Sequence, residues 1–281
     1  MNGGLVRLRE ILNLITPSER KVAEFILQDP ERIIGLSVAQ LSQESGGSQA
    51  AVIRLCKSAG FKSYQELMLK VAGDLKDESN ETGYQEIKGE DSIERIIENA
   101  SNNNIQSIRD TLKILSPANV QKAVEAILRA KRIYFYGIGA SNLIATDAQH
   151  KFMRINKTSF SFADSDLQLV SSVMLTKDDA VIGISYSGET PTIVECMKRA
   201  RESGAATISI TRYGSNAVSQ LADIPLFISS TETEIRSGAT SSRITQLNVI
   251  DILYLGVASR EYDQSVNYLE KSRSAVRKAR R

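Results

Sequence analysis

Five short runs of β-branched and aromatic residues, IYFYGIG, TSFSF, AVIGISYS, ATISIT and IPLFIS, follow one another after residue 132, with helical patterns between them. Strands that are apolar throughout must be covered on both faces, and parallel strands need crossovers long enough to hold a helix. The alternation therefore predicts an α/β domain: a parallel sheet of about five strands flanked by helices.

The first 73 residues show no strand-like alternation but three helix starts. Thr16-Pro-Ser-Glu19 combines a capping box with proline at the first helical position, and Ser37-Val-Ala-Gln40 and Ser63-Tyr-Gln-Glu66 repeat the box. The stretch DLKDESNETGYQEIKG is acidic, polar and poor in aliphatic residues, the composition of a linker. These features divide the chain into an all-α domain over 1–77, a linker over 78–91 and an α/β domain with preceding helices over 92–281. In the first of those helices Ile93, Ile96, Ile97, Ala100, Ile108, Leu112 and Leu115 fall near one face. Pro117 begins another, carrying Val120, Val124, Ile127 and Leu128. The chain is helical again from Ile244, and its basic end, KSRSAVRKARR, reads as a solvated helix face.

A hydrophobic fraction of 42% in 281 residues supports a buried core, and a net charge of +2 points to no partner by itself. Cys56 and Cys196 form no CxxC pair and read as buried small apolar residues in a reducing compartment. With His150 the single histidine, no metal site of the usual kind is expected. No apolar run reaches the ~20 residues of a membrane span, and no signal peptide is expected, so the chain reads as cytoplasmic.

The segment SVAQLSQESGGSQAAVIRLCKSAG has the layout of a helix-turn-helix. Ser37 caps a short helix, Ser45-Gly46-Gly47 turns, Ser48 caps a second helix and Gly60 ends it. Val52, Leu55, Cys56 and Ala59 sit at helical spacing and form its buried stripe. Ala50, Arg54 and Lys57 point the other way, with Ser48 and Gln49 in the first turn. Gln49 can pair with adenine, the Ala50 methyl can meet a thymine methyl, and Lys57 suits a phosphate. The candidate DNA-binding residues are Ser48, Gln49, Ala50, Arg54 and Lys57; Arg54 also suits an ion pair within the domain.

Two strand-end loops carry the remaining chemistry. In Gly137-Ile-Gly139-Ala-Ser141-Asn142 the glycines permit a tight turn, and Ser141 is placed to cap the next helix and offer its hydroxyl to a ligand. This loop alone is compatible with a dinucleotide, although Asn142 stands where a third glycine belongs; Asp164 is at a tolerable distance for a ribose acid. The second loop, Ser185-Tyr-Ser187-Gly188-Glu189-Thr190, gathers three hydroxyls and the free N–H groups of a helix start. That is a cradle for a phosphate monoester with no basic side chain required.

These two loops resemble those of sugar isomerase (SIS) domains, in which the SxSGxT hydroxyls hold a phosphate and the GxGxS serine contacts the sugar. Ser185, Ser187, Thr190 and Ser141 occupy the matching positions. A helix-turn-helix, a linker and one SIS domain in that order resemble the RpiR family of bacterial transcription regulators. Thr233-Glu234-Ile-Arg-Ser-Gly-Ala-Thr240 with Thr245-Gln-Leu247 is similar to a segment of glucosamine-6-phosphate synthase isomerase domains; that similarity places a proton-shuttling glutamate at Glu234, here a candidate sugar ligand.

The resemblance implies a regulator rather than an enzyme. The similar isomerases use a histidine and a lysine besides the glutamate, whereas His150 sits mid-helix and Ser241 stands where the lysine would. The alternative is a phosphosugar isomerase or an etherase that works with glutamates alone. No catalytic residue and no cofactor is therefore expected. The expected partners are operator DNA, a phosphorylated sugar and further copies of the chain in a homodimer or homotetramer. Similarity to amino-sugar regulators makes N-acetylmuramic acid 6-phosphate the leading ligand, followed by glucosamine 6-phosphate.

Overall fold

The computed structural model describes residues 3–77, 91–230, 232 and 239–279. The chain divides into two compact units, Met1–Ile114 with Ser229–Thr231, and Leu115–Ile228 with Glu232–Arg281. The stretch expected as a linker, 78–91, lies outside the described residues except for Asp91.

The first unit is helical: α1 (Gly4–Ile11), α2 (Pro17–Gln28), α3 (Val38–Ser45), α4 (Gln49–Ser58), α5 (Tyr64–Asp77) and α6 (Ile93–Ile114). Its core is Leu8, Val22, Ile26, Leu41, Leu55 and Leu67, all fully buried. The Thr16 and Ser37 capping boxes both form. Ser63 caps α5 by accepting from the Glu66 N–H, but the Glu66 carboxylate reaches back to the Lys62 N–H instead of closing the box. The Asp74 carboxylate accepts from the N–H groups of Gly3 and Leu5, tying α5 to the start of α1.

Helix α6 departs from the sequence expectation. Its buried side chains are Asn99, Asn103, Gln106, Ser107, Asp110 and Thr111, with Ile114 at its end, while Ile93, Ile97 and Leu112 are 67%, 61% and 52% exposed. The sequence reading grouped this helix with residues 92–281, but its contacts place it in the first unit, where Asp110 pairs with Arg9 of α1 at 3.1 Å. Hydrogen bonds satisfy part of this buried face of amides and hydroxyls, as when Gln106 donates to Asp110 at 2.9 Å, while Asn99 Nδ2 and Gln106 Oε1 are buried without a partner among the described residues.

The second unit begins with α7 (Pro117–Arg129) and winds five parallel strands: β1 (Arg132–Gly137), β2 (Ser159–Ser161), β3 (Asp179–Ile184), β4 (Ala206–Arg212) and β5 (Ile224–Ile228). Their order is β2-β1-β3-β4-β5, and they are the five runs marked in the sequence. One face packs on α7, α8 (Ala140–Arg154) and α12 (Thr240–Arg260), through Ile182, Ile184, Ile208 and Ile210 against Ile144, Phe152, Ile250 and Leu253. The other face, with Tyr134, Tyr136 and Val181, meets Ile193, Cys196 and Met197 of α10 (Pro191–Glu202) and Val218 of α11 (Ala217–Leu221). Helices α9 (Ser165–Ser172) and α13 (Tyr262–Ala279) complete the unit.

At the strand starts Arg132 grips Asp179 with two hydrogen bonds of 2.8 and 2.7 Å. Burial alone would raise the Asp179 carboxyl, but the guanidinium and the Thr176 N–H and hydroxyl outweigh it and hold the group below the ordinary carboxylate range. Both cysteines are free and buried, and burial pushes each thiol up to about 11. Among the described residues no helix is long and apolar enough to cross a membrane.

Candidate functional site

In the first unit α3 and α4 form the helix-turn-helix layout. Ser37 caps α3, and Gly46 ends it in the left-handed region at φ 67°. A β-carbon on Gly47 would lie 2.6 Å from a methyl of Val22, so glycine lets the turn approach α2. Ser48 caps α4 by accepting from the Ala51 N–H. Gly60 ends it with paired bonds, Phe61 N–H to Cys56 O and Gly60 N–H to Lys57 O. Val52, Leu55, Cys56 and Ala59 are buried, and Ala51 joins them.

Ser48, Gln49, Ala50, Arg54 and Lys57 are all exposed and lie along α4. Ile53 shares that face at 42% exposure and was not among the residues marked from the sequence. Behind the face sits Glu19, buried at the N-terminus of α2 and accepting from Thr16 and Ser58. Burial works to raise its carboxyl, but these bonds and the nearby charge of Arg54 lower it overall. Arg54 thus has an electrostatic role inside the domain as well as an exposed position.

In the second unit the two loops stand side by side. β1 and β3 are hydrogen-bonded neighbours, and β2 lies beyond β1, so the chain runs outward in opposite directions from this pair. In open α/β sheets the crevice at such a reversal, beyond the carboxyl ends of the strands, takes the ligand. Both loops open there.

Three hydroxyls converge in the β3 loop. Ser185 Oγ is 2.9 Å from Thr190 Oγ1 and 3.5 Å from Ser187 Oγ. The Gly188 N–H donates to Ser185 Oγ and the Glu189 N–H to Ser187 Oγ. Ser185 is buried, Thr190 half-buried and Ser187 exposed, so the cradle opens at Ser187. Thr190 is the N-cap residue of α10 but makes no side-chain cap bond, and Pro191 follows at the first position. Its hydroxyl therefore faces Ser185 rather than its own helix.

Residues that sequence reasoning missed brace this geometry. Gly188 has φ 71°, and a β-carbon there would lie 2.1 Å from the Asn216 side chain. Asn216 is buried and donates to Thr211 Oγ1 and the Gly214 carbonyl. Glu189 accepts from the Ala217 N–H at 3.0 Å. On the β1 side the fully buried amide of Gln168 accepts from the Gly137 N–H and donates to the carbonyls of Gly137 and Phe162. Only a side chain with donor and acceptor at one end can do this.

Ser141 does not cap α8 as the loop pattern suggested. Gly139 is the N-cap residue, at φ 59° and ψ −125°, a conformation that forces Ser141 into the first turn. The Ser141 hydroxyl instead faces the amide of Gln246 on α12, 3.3 Å from Nε2 and 3.5 Å from Oε1. Gln246 is buried. Glu234 lies outside the described residues. Glu232 is described: its carboxylate accepts from the Ser241 and Ser242 N–H groups and the Ser242 hydroxyl, at the positive end of α12. His150 is exposed on α8.

Known proteins share both halves. The family model for the helix-turn-helix domain of the rpiR family matches residues 2–78, and that for the SIS domain matches residues 126–256. The chain is 42% identical over 279 residues to an uncharacterized HTH-type transcriptional regulator, YbbH, of Bacillus subtilis, covering 99% of this chain and 98% of that one. It is 37% identical over 264 residues to the HTH-type transcriptional regulator HexR of Pseudomonas aeruginosa, covering 92% and 90%. The structure of the Vibrio vulnificus NanR protein complexed with ManNAc-6P has the same fold over 97% of both chains, with a TM-score of 0.61 at 23% identity.

Proposed function

The chain belongs to the RpiR family of helix-turn-helix transcription regulators with a SIS domain, and from that footing we propose that a phosphorylated amino sugar sets its affinity for operator DNA. The observation that carries this reading is the convergence of Ser185, Ser187 and Thr190 hydroxyls beside the Ser141 loop. The cradle receives the phosphate, and Ser141 meets the sugar. Glu234 is retained as a further sugar ligand on the resemblance alone. Ser48, Gln49, Ala50, Arg54 and Lys57 face the DNA, with α4 in the major groove.

N-acetylmuramic acid 6-phosphate is the leading effector, within the amino-sugar phosphates to which the ManNAc-6P held by NanR also belongs. The site senses its ligand without turning it over, because no histidine–lysine pair accompanies the glutamate for proton transfer. Two copies associate through α6, whose exposed Ile93, Ile97 and Leu112 recur on one face. A dimer suits a near-palindromic operator.

An effector must favour one DNA-binding state over the other, and a coupling of about 1–3 kcal/mol changes affinity about 5–150-fold. The test is an operator titration with and without N-acetylmuramic acid 6-phosphate, on wild type and Ser187→Ala. Ligand should shift the wild-type isotherm, and Ser187→Ala should blunt the shift. Saturating ligand that binds but leaves the isotherm unmoved overturns the reading.

A further inference from the structure

Arg212 is the last residue of β4, at the same end of the sheet as the hydroxyl cradle. Its backbone N–H donates to the Tyr186 carbonyl at 2.9 Å, inside the loop that carries Ser185 and Ser187. Side chains alternate along a strand, so Arg212 follows Ile208 and Ile210, which pack with α8 and α12. It leaves the sheet on the face that carries Ser141 and Gln246, opposite the face covered by α10.

Arg212 is half-buried. Its Nε is buried without a hydrogen-bond partner, and among the described residues no carboxylate pairs with it. Glu232, the acid just after β5, is engaged at the start of α12. Orphaned buried donors are rare in native proteins, and a charged one is the costliest kind. The planar fork of arginine matches a carboxylate in two parallel hydrogen bonds.

We propose that Arg212 receives a carboxylate carried on the sugar of the effector, so that the site selects a phosphosugar acid over the corresponding neutral sugar phosphate. The proposal rests on reading the cradle as a sugar-phosphate site. The phosphate occupies the loop that opens α10, and the sugar extends toward Ser141 on the α8 side. Arg212 stands on that sugar side and meets a substituent of the ring. Such an effector presents two anions to one crevice, one held by neutral hydroxyls and N–H groups, the other by a full positive charge.

Calorimetric titration of the full chain with N-acetylmuramic acid 6-phosphate and N-acetylglucosamine 6-phosphate tests this, since the two ligands differ by a lactyl ether bearing the carboxylate. Wild type should prefer the acid by roughly tenfold or more, as a charge-assisted pair predicts. Arg212→Met should abolish that preference, and Arg212→Lys should keep part of it, because charge remains while the fork is lost. Ser187→Ala should weaken both ligands alike and preserve the preference. Melting curves of each variant without ligand verify folding. A wild type that binds both ligands equally overturns the carboxylate proposal and leaves the cradle standing. Equal losses for both ligands in Arg212→Met would show that Arg212 meets the phosphate, which also overturns it. A wild type that binds neither ligand overturns the cradle reading itself.

Discussion

The Asn216 side chain occupies the space that a β-carbon on Gly188 would need, with its Cγ 2.1 Å from that position. Gly188 is thus held at φ 71° by its own backbone and by a neighbour 28 residues along the chain. Gly188→Ala should lower stability by about 1–2 kcal/mol for the left-handed backbone alone, with the clash adding to it, and should abolish sugar-phosphate binding. Thermal melting and calorimetry read the two effects. Asn216→Gly, which removes the whole side chain including the β-carbon at 2.7 Å, should partly restore binding in the double variant; no restoration would mean that the two residues act separately.

Asp179 gives the second unit an acid limit. Its folded carboxyl titrates below the ordinary value, so its contribution is complete above the unfolded pKa of about 3.9 and is lost as the pH falls toward the folded one. Urea midpoints should therefore drop as the pH falls below about 4. Asp179→Asn should cost about 2–3 kcal/mol at neutral pH, below the full value of a buried pair because Arg132 reaches solvent, and should flatten that slope.

The exposed face of α4 predicts two kinds of loss. Lys57→Ala should weaken operator binding and reduce the salt slope by about one. Arg54→Ala should weaken it as well, and should also raise the pKa of Glu19, whose carboxyl the Arg54 charge helps to lower. Fluorescence anisotropy at several salt concentrations separates these outcomes. Unchanged affinity and slope in both variants would remove α4 from the interface.

Helix α6 predicts an assembly defect. Ile97→Glu places a charge at a position 61% exposed in the single chain, so the fold of each chain should hold, and any drop in melting temperature should depend on protein concentration. Sedimentation velocity should show the proposed dimer giving way to monomer. A persisting dimer would assign self-association to another surface.

The sequence was most readable where the cause is local. Strand runs, capping boxes, Gly60 after α4 and the three cradle hydroxyls depend on neighbours within a few residues. The supports of the site depend on distant partners. Gln168 carries no local signal, yet it clamps Gly137 from 31 positions away. Asn216 and Arg212 likewise carry no local signal of their place beside the loop. Ser141 was misplaced because a serine after a glycine loop suits a cap, whereas the backbone at Gly139 starts the helix earlier. Helix α6 misled for a different reason: its apolar stripe suits burial, but within its unit the hydrogen-bonding face is the one covered. Glu234 lies outside the described residues.

The order of the two units along the chain also sets a sequence of events during synthesis. Helices α1 to α5 make local contacts, whereas the sheet joins strands such as β1 and β3, paired through Arg132 and Asp179 47 residues apart, and needs β5 and α12 to finish its core. Helical units with local contacts fold faster than parallel sheets, and translation delivers about 5–20 residues per second. On the order of ten seconds therefore separates a finished helix-turn-helix from a finished effector crevice on the same nascent chain. Each newly made molecule completes its helix-turn-helix before the crevice that we propose for the effector.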